Sequence, residues 1–321
     1  MMRKPLSLMR IKRDEFIPVD DQSVALFRLG EQCNNACPMC SNSGRSEGFF
    51  IPVEELFRRV KFFAASGFRR VVMTGGEPTI HPAFWSVVER AGEQGIVWDV
   101  NTHGRSFSEA GFTERALATG LRSAIVSLHS HRVDVSCLIS GTKEKGHFET
   151  IDGIGNLLEH GVPVLVNLVV TRYNQEHLVE FLSYCLETFG AACKLKYVFP
   201  STGGKGGDWK GIELRYGPLQ ETLARVREQA AASGQTVFYE SFPPCISGEH
   251  TTPNMSRSGF GETHYLEDIR GRELFSIRHI EAQLNVFPSS CKSCAMVRSC
   301  SGVSLDYLKR YGGDEFQPIT L

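Results

Sequence analysis

The sequence predicts an α/β fold in which parallel strands alternate with helices. Strand-like apolar segments recur six times between Ser23 and Phe199, and a segment with helical spacing of apolar residues separates each strand from the next. Glycine or proline stands at most of the junctions. Such regular alternation implies parallel strands joined by right-handed crossovers. Periodicity alone does not distinguish a flat sheet from an open or partial barrel, but in either geometry chemistry gathers at the carboxyl ends of the strands.

The predicted strands and helices alternate along the chain from Ser23 onward. The strand SVALFRL runs into a cysteine-rich loop, and the helix PVEELFRRVKFFAASG follows, with Pro52 at its start and Gly67 at its end. The second strand, FRRVVMTGGEP, is apolar and ends in a Gly-Gly-Glu-Pro turn. The remaining predicted segments are the helix PAFWSVVERAGEQG, the strand IVWDVNTHG, the helix TERALATG, the strand RSAIVSLHSH, the helix FETIDGIGNLLEHG, the strand VPVLVNLVVT, the helix EHLVEFLSYCLETFG and the strand CKLKYVF.

The domain organisation is predicted from the length of the chain and from a change of composition near residue 200. A chain of 321 residues suggests one large domain and a smaller one. The segment PSTGGKGGDWKG has five glycines in twelve residues and is interpreted either as a cover over a site or as an exposed connector. The predicted units are an N-terminal arm at 1–20, the main domain at 21–205, a linker helix and strand at 206–240, and a small, mostly irregular domain at 241–321.

Composition excludes several classes of protein. There are 35 basic and 36 acidic residues, so the charge of −1 gives no electrostatic footprint for nucleic acid. No apolar run reaches the length of a membrane span, and the N-terminal segment lacks the apolar core of a signal peptide. The sequence therefore predicts a cytoplasmic protein with no nucleic-acid or membrane partner. Thiols stay reduced in that compartment, so the ten cysteines favour metal binding or catalysis over disulfides.

Three of those cysteines follow the first strand at the spacing C-x3-C-x2-C: Cys33, Cys37 and Cys40. A structural zinc site normally has four ligands, and no fourth cysteine is near. Iron–sulfur clusters are held by cysteine thiolates, and three ligands on a four-iron cluster would leave one iron open. The alternative is a zinc knuckle completed by a distant residue such as His103 or His129.

This cysteine motif, with TGGEP after the second strand, resembles the radical S-adenosylmethionine (radical SAM) superfamily from about Val24 to Pro200. The resemblance implies a partial (β/α)6 TIM-like barrel. It implies that Cys33, Cys37 and Cys40 ligate a [4Fe–4S] cluster whose open iron binds SAM. It also implies reductive cleavage of SAM to a 5′-deoxyadenosyl radical that abstracts hydrogen from a substrate. The electron would come from a reductant such as flavodoxin or ferredoxin.

The Gly-Gly-Glu-Pro turn suits this interpretation physically. Gly75 and Gly76 lack a Cβ, so backbone can approach a ligand closely, while Glu77 supplies a carboxylate and Pro78 fixes the turn. In the family this segment meets the SAM amino group. Met39 precedes the third cysteine, where the family often has an aromatic residue near the adenine, and a thioether can also pack on a ring.

Later strand ends offer further candidate contacts to the SAM ribose or to the substrate. The candidates are Ser127 and His129 in VSLHSH, and Asn167 and Thr171 in VNLVVT. For each of them the alternative is a polar side chain satisfied within the fold.

A second group of cysteines lies near the C-terminus. Cys291, Cys294 and Cys300, with Cys245 upstream, resemble the auxiliary-cluster extensions called SPASM and twitch domains. The full SPASM pattern would have a further cysteine where Ser304 stands. Four cysteines suffice for one fully ligated [4Fe–4S] cluster of the twitch type, so two clusters are predicted in all. The alternative is a structural zinc site, because C-x2-C is also zinc spacing.

The remaining cysteines have separate interpretations. Cys137 follows a strand end predicted to face the site, so it is a candidate hydrogen donor to a substrate radical, the alternative being a small buried side chain. Cys185 and Cys193 are predicted to be core residues.

The resemblance implies an enzyme that modifies a ribosomally synthesised peptide by a crosslink, a thioether or epimerisation. Only 32 residues precede Cys33, which argues against a fused peptide-recognition domain but not against a separate partner. No cobalamin-binding region is evident. The alternatives are a dehydrogenase or epimerase of a sugar-like or other small natural-product intermediate, a non-catalytic iron–sulfur electron carrier, and a zinc-stabilised interaction protein.

Overall fold

The computed structural model describes residues 11–12, 23–40, 48–201, 210–248, 263–267, 273–276 and 284–320. Most of the predicted N-terminal arm, all but residues 11–12, and most of the glycine-rich segment after Pro200 lie outside these ranges. Within them, no helix is both long enough and apolar enough to cross a membrane.

A ten-stranded sheet forms the centre of the fold. Its strands are β1 (Ile11–Lys12), β2 (Ser23–Arg28), β3 (Arg70–Thr74), β4 (Val97–Thr102), β5 (Leu121–Ser127), β6 (Val164–Val169), β7 (Lys194–Val198), β8 (Val237–Glu240), β9 (Thr263–Glu267) and β10 (Glu273–Ser276). The order across the sheet is β1-β10-β9-β2-β3-β4-β5-β6-β7-β8. Strands β2 to β8 are parallel and consecutive, and they curl into a half-barrel, which confirms the predicted partial TIM-like barrel.

The half-barrel has seven strands rather than the six predicted as its repeats. The seventh is β8, which the sequence analysis placed in a linker. It pairs in parallel with β7, with Tyr197 opposite Tyr239, because the helix before it carries the chain back across the sheet.

Helices cover the outer face of the half-barrel. They are α1 (Val53–Ala65), α2 (Phe84–Glu93), α3 (Ala110–Ala118), α4 (Val133–Ser140), α5 (Glu144–Glu159), α6 (Leu178–Phe189) and α7 (Leu219–Ser233), followed by the short α8 (Pro244–Ser247) and α9 (Leu305–Tyr311). Each long helix packs an apolar stripe on the sheet. Phe63 of α1 meets Phe27 edge-on at a centroid distance of 5.2 Å, and Phe84 of α2 meets Trp98 at 5.6 Å. Burial of each such side chain contributes roughly 1.5–3 kcal/mol.

Two features differ from the predictions. Helix α4 was not predicted, because its eight residues VDVSCLIS include β-branched side chains and show little polar patterning. The prediction of a mostly irregular chain at 241–321 was wrong for β9 and β10: β9 pairs in parallel with β2, and β10 pairs antiparallel with β9. A local pattern cannot reveal a strand whose partner lies more than 200 residues away.

Candidate functional site

One cavity of about 570 Å³ occupies the inside of the half-barrel. Its lining includes most of the predicted site residues, namely Cys33, Cys37, Met39, Cys40, Gly75, Gly76, Glu77, Ser127, His129 and Asn167. The fold thus brings residues from four separate segments of the chain to one place. Pro78, Thr171 and Cys137 are absent from the described lining.

The loop after β2 presents three thiols to this cavity. The Cys37 thiol donates to the Ser140 carbonyl oxygen at 3.2 Å, and the Cys33 sulfur accepts from the Asn35 backbone N–H at 3.4 Å. Burial, with neighbouring thiols adding to it, raises the pKa of Cys33 to about 11 and that of Cys37 to about 12. Without metal, the thiols of Cys33 and Cys37 therefore stay protonated at neutral pH, and a coordinated metal is what would deprotonate them.

The two glycines of the turn after β3 are required by its packing on the cysteine loop. A Cβ on Gly75, whose φ is +138°, would lie 2.3 Å from the Gly30 carbonyl oxygen, and one on Gly76 would lie 2.1 Å from that of Gln32. Backbone hydrogen bonds from Gly76 N–H to Gly30 (3.0 Å) and from Glu77 N–H to Gln32 (2.8 Å) close this contact. The immediate neighbour of the glycines is thus the cysteine loop, whereas the sequence analysis assigned the close approach to a ligand.

The Glu77 carboxylate ties the ends of two strands together. Its Oε1 accepts from the Thr79 N–H (3.1 Å), the Thr79 hydroxyl (2.6 Å) and the Thr102 hydroxyl (2.8 Å). Its Oε2 accepts from the His103 N–H at 2.9 Å. Pro78 is buried and begins the short turn Pro78–Ile80, so its role within the fold is to shape this turn.

The candidates at later strand ends divide into two kinds. Ser127 and Asn167 lie opposite each other on β5 and β6 and line the cavity. His129 also lines the cavity, and burial lowers its pKa to about 4, so the ring is neutral at pH 7. Its Nδ1 accepts a hydrogen bond from the Val169 N–H at 3.2 Å, so the neutral ring carries its proton on Nε2. Thr171 is fully buried in a turn, where its hydroxyl donates to Asn174 Oδ1 at 3.2 Å.

Cys137 lies on α4, away from the described cavity lining, and its role as a hydrogen donor stays a prediction. Cys185 on α6 and Cys193 before β7 are both fully buried among apolar side chains, as predicted for core residues.

The four C-terminal cysteines meet in a second, small cavity. Cys245 on α8 lines it together with Cys291, Cys294 and Cys300, and the volume of the cavity is about 20 Å³. Burial and the three other thiols raise the pKa of Cys245 to about 12. Backbone N–H groups of Ile319 and Gly302 donate to the sulfurs of Cys294 (3.4 Å) and Cys300 (3.3 Å). Four thiols that line one small cavity are, by donor type, ligands that iron–sulfur clusters and structural zinc sites use.

Residues 27–185 match the radical SAM superfamily. The chain belongs to this superfamily. Radical SAM proteins are enzymes, so the non-catalytic alternatives of the sequence analysis are set aside.

Two curated relatives share part of this radical SAM chain. The mycofactocin maturase MftC of Mycobacterium tuberculosis is 27% identical over 249 residues, which cover 73% of this chain and 59% of the relative. A probable GTP 3′,8-cyclase of Thermococcus kodakarensis is 27% identical over 164 residues, 50% of this chain and 52% of the relative. The chain thus spans between half and three-fifths of the length of these relatives.

Two solved radical SAM structures share the fold. Streptococcus suis SuiB bound to its precursor peptide SuiA superposes with a TM-score of 0.65 at 15% identity, covering 97% of this chain and 77% of SuiB. The enzyme anSMEcpe with bound AdoMet superposes with a TM-score of 0.63 at 14% identity, covering 92% of each chain.

The residues at the opening site fit a radical SAM cluster by donor type. Three cysteines on one loop line one wall of the cavity, and cysteine thiolate is the ligand that iron–sulfur clusters use. Among the described residues, no three His, Cys, Asp or Glu side chains converge as ligands of a single metal ion. A four-iron cluster does not require such convergence, because each thiolate binds a different iron.

Sequence reasoning missed a set of charged residues deep in the radical SAM cavity. Lys196 Nζ lies 2.7 Å from Glu240 Oε2, which links β7 to β8. Arg70 pairs with Asp99, which also accepts from the Ser123 hydroxyl at 2.6 Å, and this group links β3, β4 and β5. These four charged residues and Ser123 all line the cavity. The sequence carried one sign of these residues, since Asp99 in WDV and Lys196 in LKY each lie between apolar neighbours on a predicted strand. A barrel with a fully packed interior would have apolar side chains at such positions.

Proposed function

We propose that this radical SAM enzyme modifies a ribosomally synthesised peptide, using SAM, a [4Fe–4S] cluster at Cys33, Cys37 and Cys40, and a second cluster at the C-terminal cysteines. The observation that carries the proposal is the large cavity shared by the three thiols, the Gly-Gly-Glu turn and polar side chains from several strands. Peptides recur among the similar proteins, since SuiB is described with a precursor peptide and anSMEcpe with the Cp18Cys peptide. The product would be a crosslink, a thioether or an epimer.

Residues of this chain would have separate roles around the cluster and SAM. When bound, the cluster and SAM supply a carbon radical able to abstract hydrogen from an unactivated C–H bond. Gly76 and Glu77 hold the thiol loop against the strand ends through backbone hydrogen bonds. His129 presents a neutral ring with an Nε2 proton, and Ser127 and Asn167 offer further hydrogen-bonding groups beside it. The electron would come from a reductant such as flavodoxin or ferredoxin.

A second candidate is a dehydrogenase or epimerase of a sugar-like or other small polar intermediate. The observation in its favour is that charged side chains line the cavity and are buried: Lys196 is 6% exposed and Asp99 is 2% exposed. Buried charges of this kind suit a small ligand with several hydrogen-bonding groups. The similarity to a GTP 3′,8-cyclase, named for a small polar molecule, points the same way.

The two candidates can be separated by what supports SAM cleavage. The anaerobically purified protein, reduced with dithionite, is supplied with SAM and either short peptides encoded beside its gene or a panel of sugars and aminocyclitols. We expect one peptide to raise 5′-deoxyadenosine formation and to change its own mass or its stereochemistry. Turnover with only a small alcohol or amine would contradict the peptide proposal and support the second candidate.

The auxiliary site gives a separate prediction. Replacing Cys294 by alanine removes one of the four thiols that line the second cavity, so the iron content should fall from about eight to about four per chain. The opening site is unchanged in this variant, and reductive SAM cleavage without substrate should continue. Iron and labile sulfide analysis after anaerobic purification measures this. Cys185→Ala, a core thiol outside both groups, is the matched control and should keep its full iron. Zinc in place of half the expected iron would show a structural zinc site instead.

A further inference from the structure

The spacer between the first two cysteines is held by both side-chain and backbone hydrogen bonds. It consists of Asn34, Asn35 and Ala36 in CNNAC. His103 Nε2 lies 2.5 Å from Asn34 Oδ1, and the Ala36 N–H donates to the Gly141 carbonyl oxygen at 3.3 Å. The spacer is therefore anchored to the end of β4 on one side and to the end of α4 on the other.

Arg105 makes the central contact with this spacer. One terminal nitrogen, Nη1, donates to the Asn34 carbonyl oxygen and to Asn35 Oδ1, both at 3.1 Å. On its other edge, Nε donates to Glu149 Oε2 of α5 at 2.6 Å. The guanidinium thus bridges the thiol loop to a helix of the barrel, and its planar fork of donors fixes the direction of each bond.

The platform that carries Arg105 is rigid. Gly104 turns the chain after β4 with a φ of +83°, and a Cβ there would lie 2.7 Å from Val126 Cγ1. The residue before it, His103, donates its N–H to Glu77, so Arg105 is fastened to the Gly-Gly-Glu turn as well. Because both the backbone and the guanidinium of Arg105 are held in place, the side chain can fix the position of the spacer.

We propose that Arg105 is a positioning residue for the opening cluster, with Glu149 as the carboxylate that orients it. By fixing Asn34 and Asn35, Arg105 sets the relative placement of Cys33 and Cys37 before iron is bound. Arg105 is not among the described residues that line the cavity, so its effect passes through the spacer. The inference rests on the proposed cluster at Cys33, Cys37 and Cys40. Residues that orient metal ligands in this way change metal affinity or activity by about 10–100-fold when replaced.

The test is the rate at which iron leaves the anaerobically purified full-length protein in the presence of a chelator. For Arg105→Gln we expect about half of the iron to leave roughly tenfold faster than in the wild type, and the other half at the wild-type rate. Arg105→Lys keeps the charge beside Glu149 but loses the fork, so it should also release iron faster. The electron paramagnetic resonance spectrum of the reduced protein should show a weakened response to SAM in both variants.

Lys145→Gln is the matched control. Lys145 pairs with the same carboxylate, 3.5 Å from Glu149 Oε1, but its side chain is 86% exposed and no described contact joins it to the thiol loop. Its iron release should match the wild type. If Arg105→Gln released its iron at the wild-type rate, the proposal would be overturned. It would also be overturned if both halves of the iron left equally faster and the melting temperature fell, because that result marks general destabilisation of the protein. A wild-type protein that binds four irons at the C-terminal site alone would overturn the proposed function as well.

Discussion

Replacing Cys33, Cys37 and Cys40 together by alanine is expected to abolish SAM cleavage and to lower the iron content from about eight to about four per chain. The three side chains supply every described thiol on the wall of the barrel cavity. Without them the cavity retains the Gly-Gly-Glu turn and its polar side chains, but no thiolate that binds iron there. The C-terminal cysteines occupy a separate cavity and should keep their metal.

The measurement combines iron, zinc and labile sulfide analysis with the yield of 5′-deoxyadenosine under reducing, anaerobic conditions. Cys137→Ala is the control, because Cys137 belongs to neither group of clustered thiols and should affect neither the iron content nor substrate-free SAM cleavage. A wild-type protein with zinc and almost no iron would contradict the prediction. The motif CNNACPMC would then be a structural knuckle, and the radical mechanism would be wrong.

The parts of the fold that could be predicted are those encoded by short-range patterns. Alternating apolar strands and amphipathic helices between Ser23 and Phe199 predicted the parallel sheet, because each repeat must bury its own apolar face locally. Cys33, Cys37 and Cys40 could be grouped from spacing alone. The grouping of Cys245 with Cys291 needed the resemblance, since 45 residues separate them in the sequence.

The parts that could not be predicted depend on tertiary contacts. Strand β9 joins the sheet beside β2 through a pairing between chain segments that are far apart. The ion pair between Lys196 and Glu240 forms only because β7 and β8 are neighbours. Arg105 illustrates the same limit at the site, since NTHGR contains no sign that its arginine reaches the spacer of CNNAC.

The structure gives Gly75 and Gly76 a second reason to be glycine, besides the one predicted from the sequence. Gly75 and Gly76 were singled out because a backbone without Cβ can approach a ligand. In the structure both positions lie against the carbonyl oxygens of Gly30 and Gln32, within 2.3 Å of where a Cβ would stand. The motif therefore aligns the turn with the cysteine loop, and any contact to SAM depends on that alignment.

The second large effect is expected at Glu77, a residue that is 3% exposed and whose carboxylate accepts four hydrogen bonds from three residues. Glu77→Ala leaves two hydroxyls and two backbone N–H groups without this acceptor in a buried site. A buried donor left without its acceptor costs about 1–3 kcal/mol, so the loss of all four bonds should lower the free energy of unfolding by roughly 3–5 kcal/mol. Because the same carboxylate joins the ends of β3 and β4 beneath the thiol loop, we also expect SAM cleavage to be lost.

Chemical denaturation of the full chain measures the stability change, and two variants make the result specific. Glu89→Ala removes a carboxylate from an exposed pair with Arg115, in which both side chains are 50% exposed, and should cost only about 0–1 kcal/mol. Glu77→Gln keeps the shape and one acceptor oxygen, but its amide group would face the His103 N–H as a second donor. Its cost should therefore be intermediate, about 1–3 kcal/mol. If Glu77→Ala were no less stable than Glu89→Ala, the carboxylate would not be what fastens the turn to β4. The backbone bonds of Gly76 and Glu77 would then have to hold the cysteine loop unaided, and SAM cleavage should survive in Glu77→Ala.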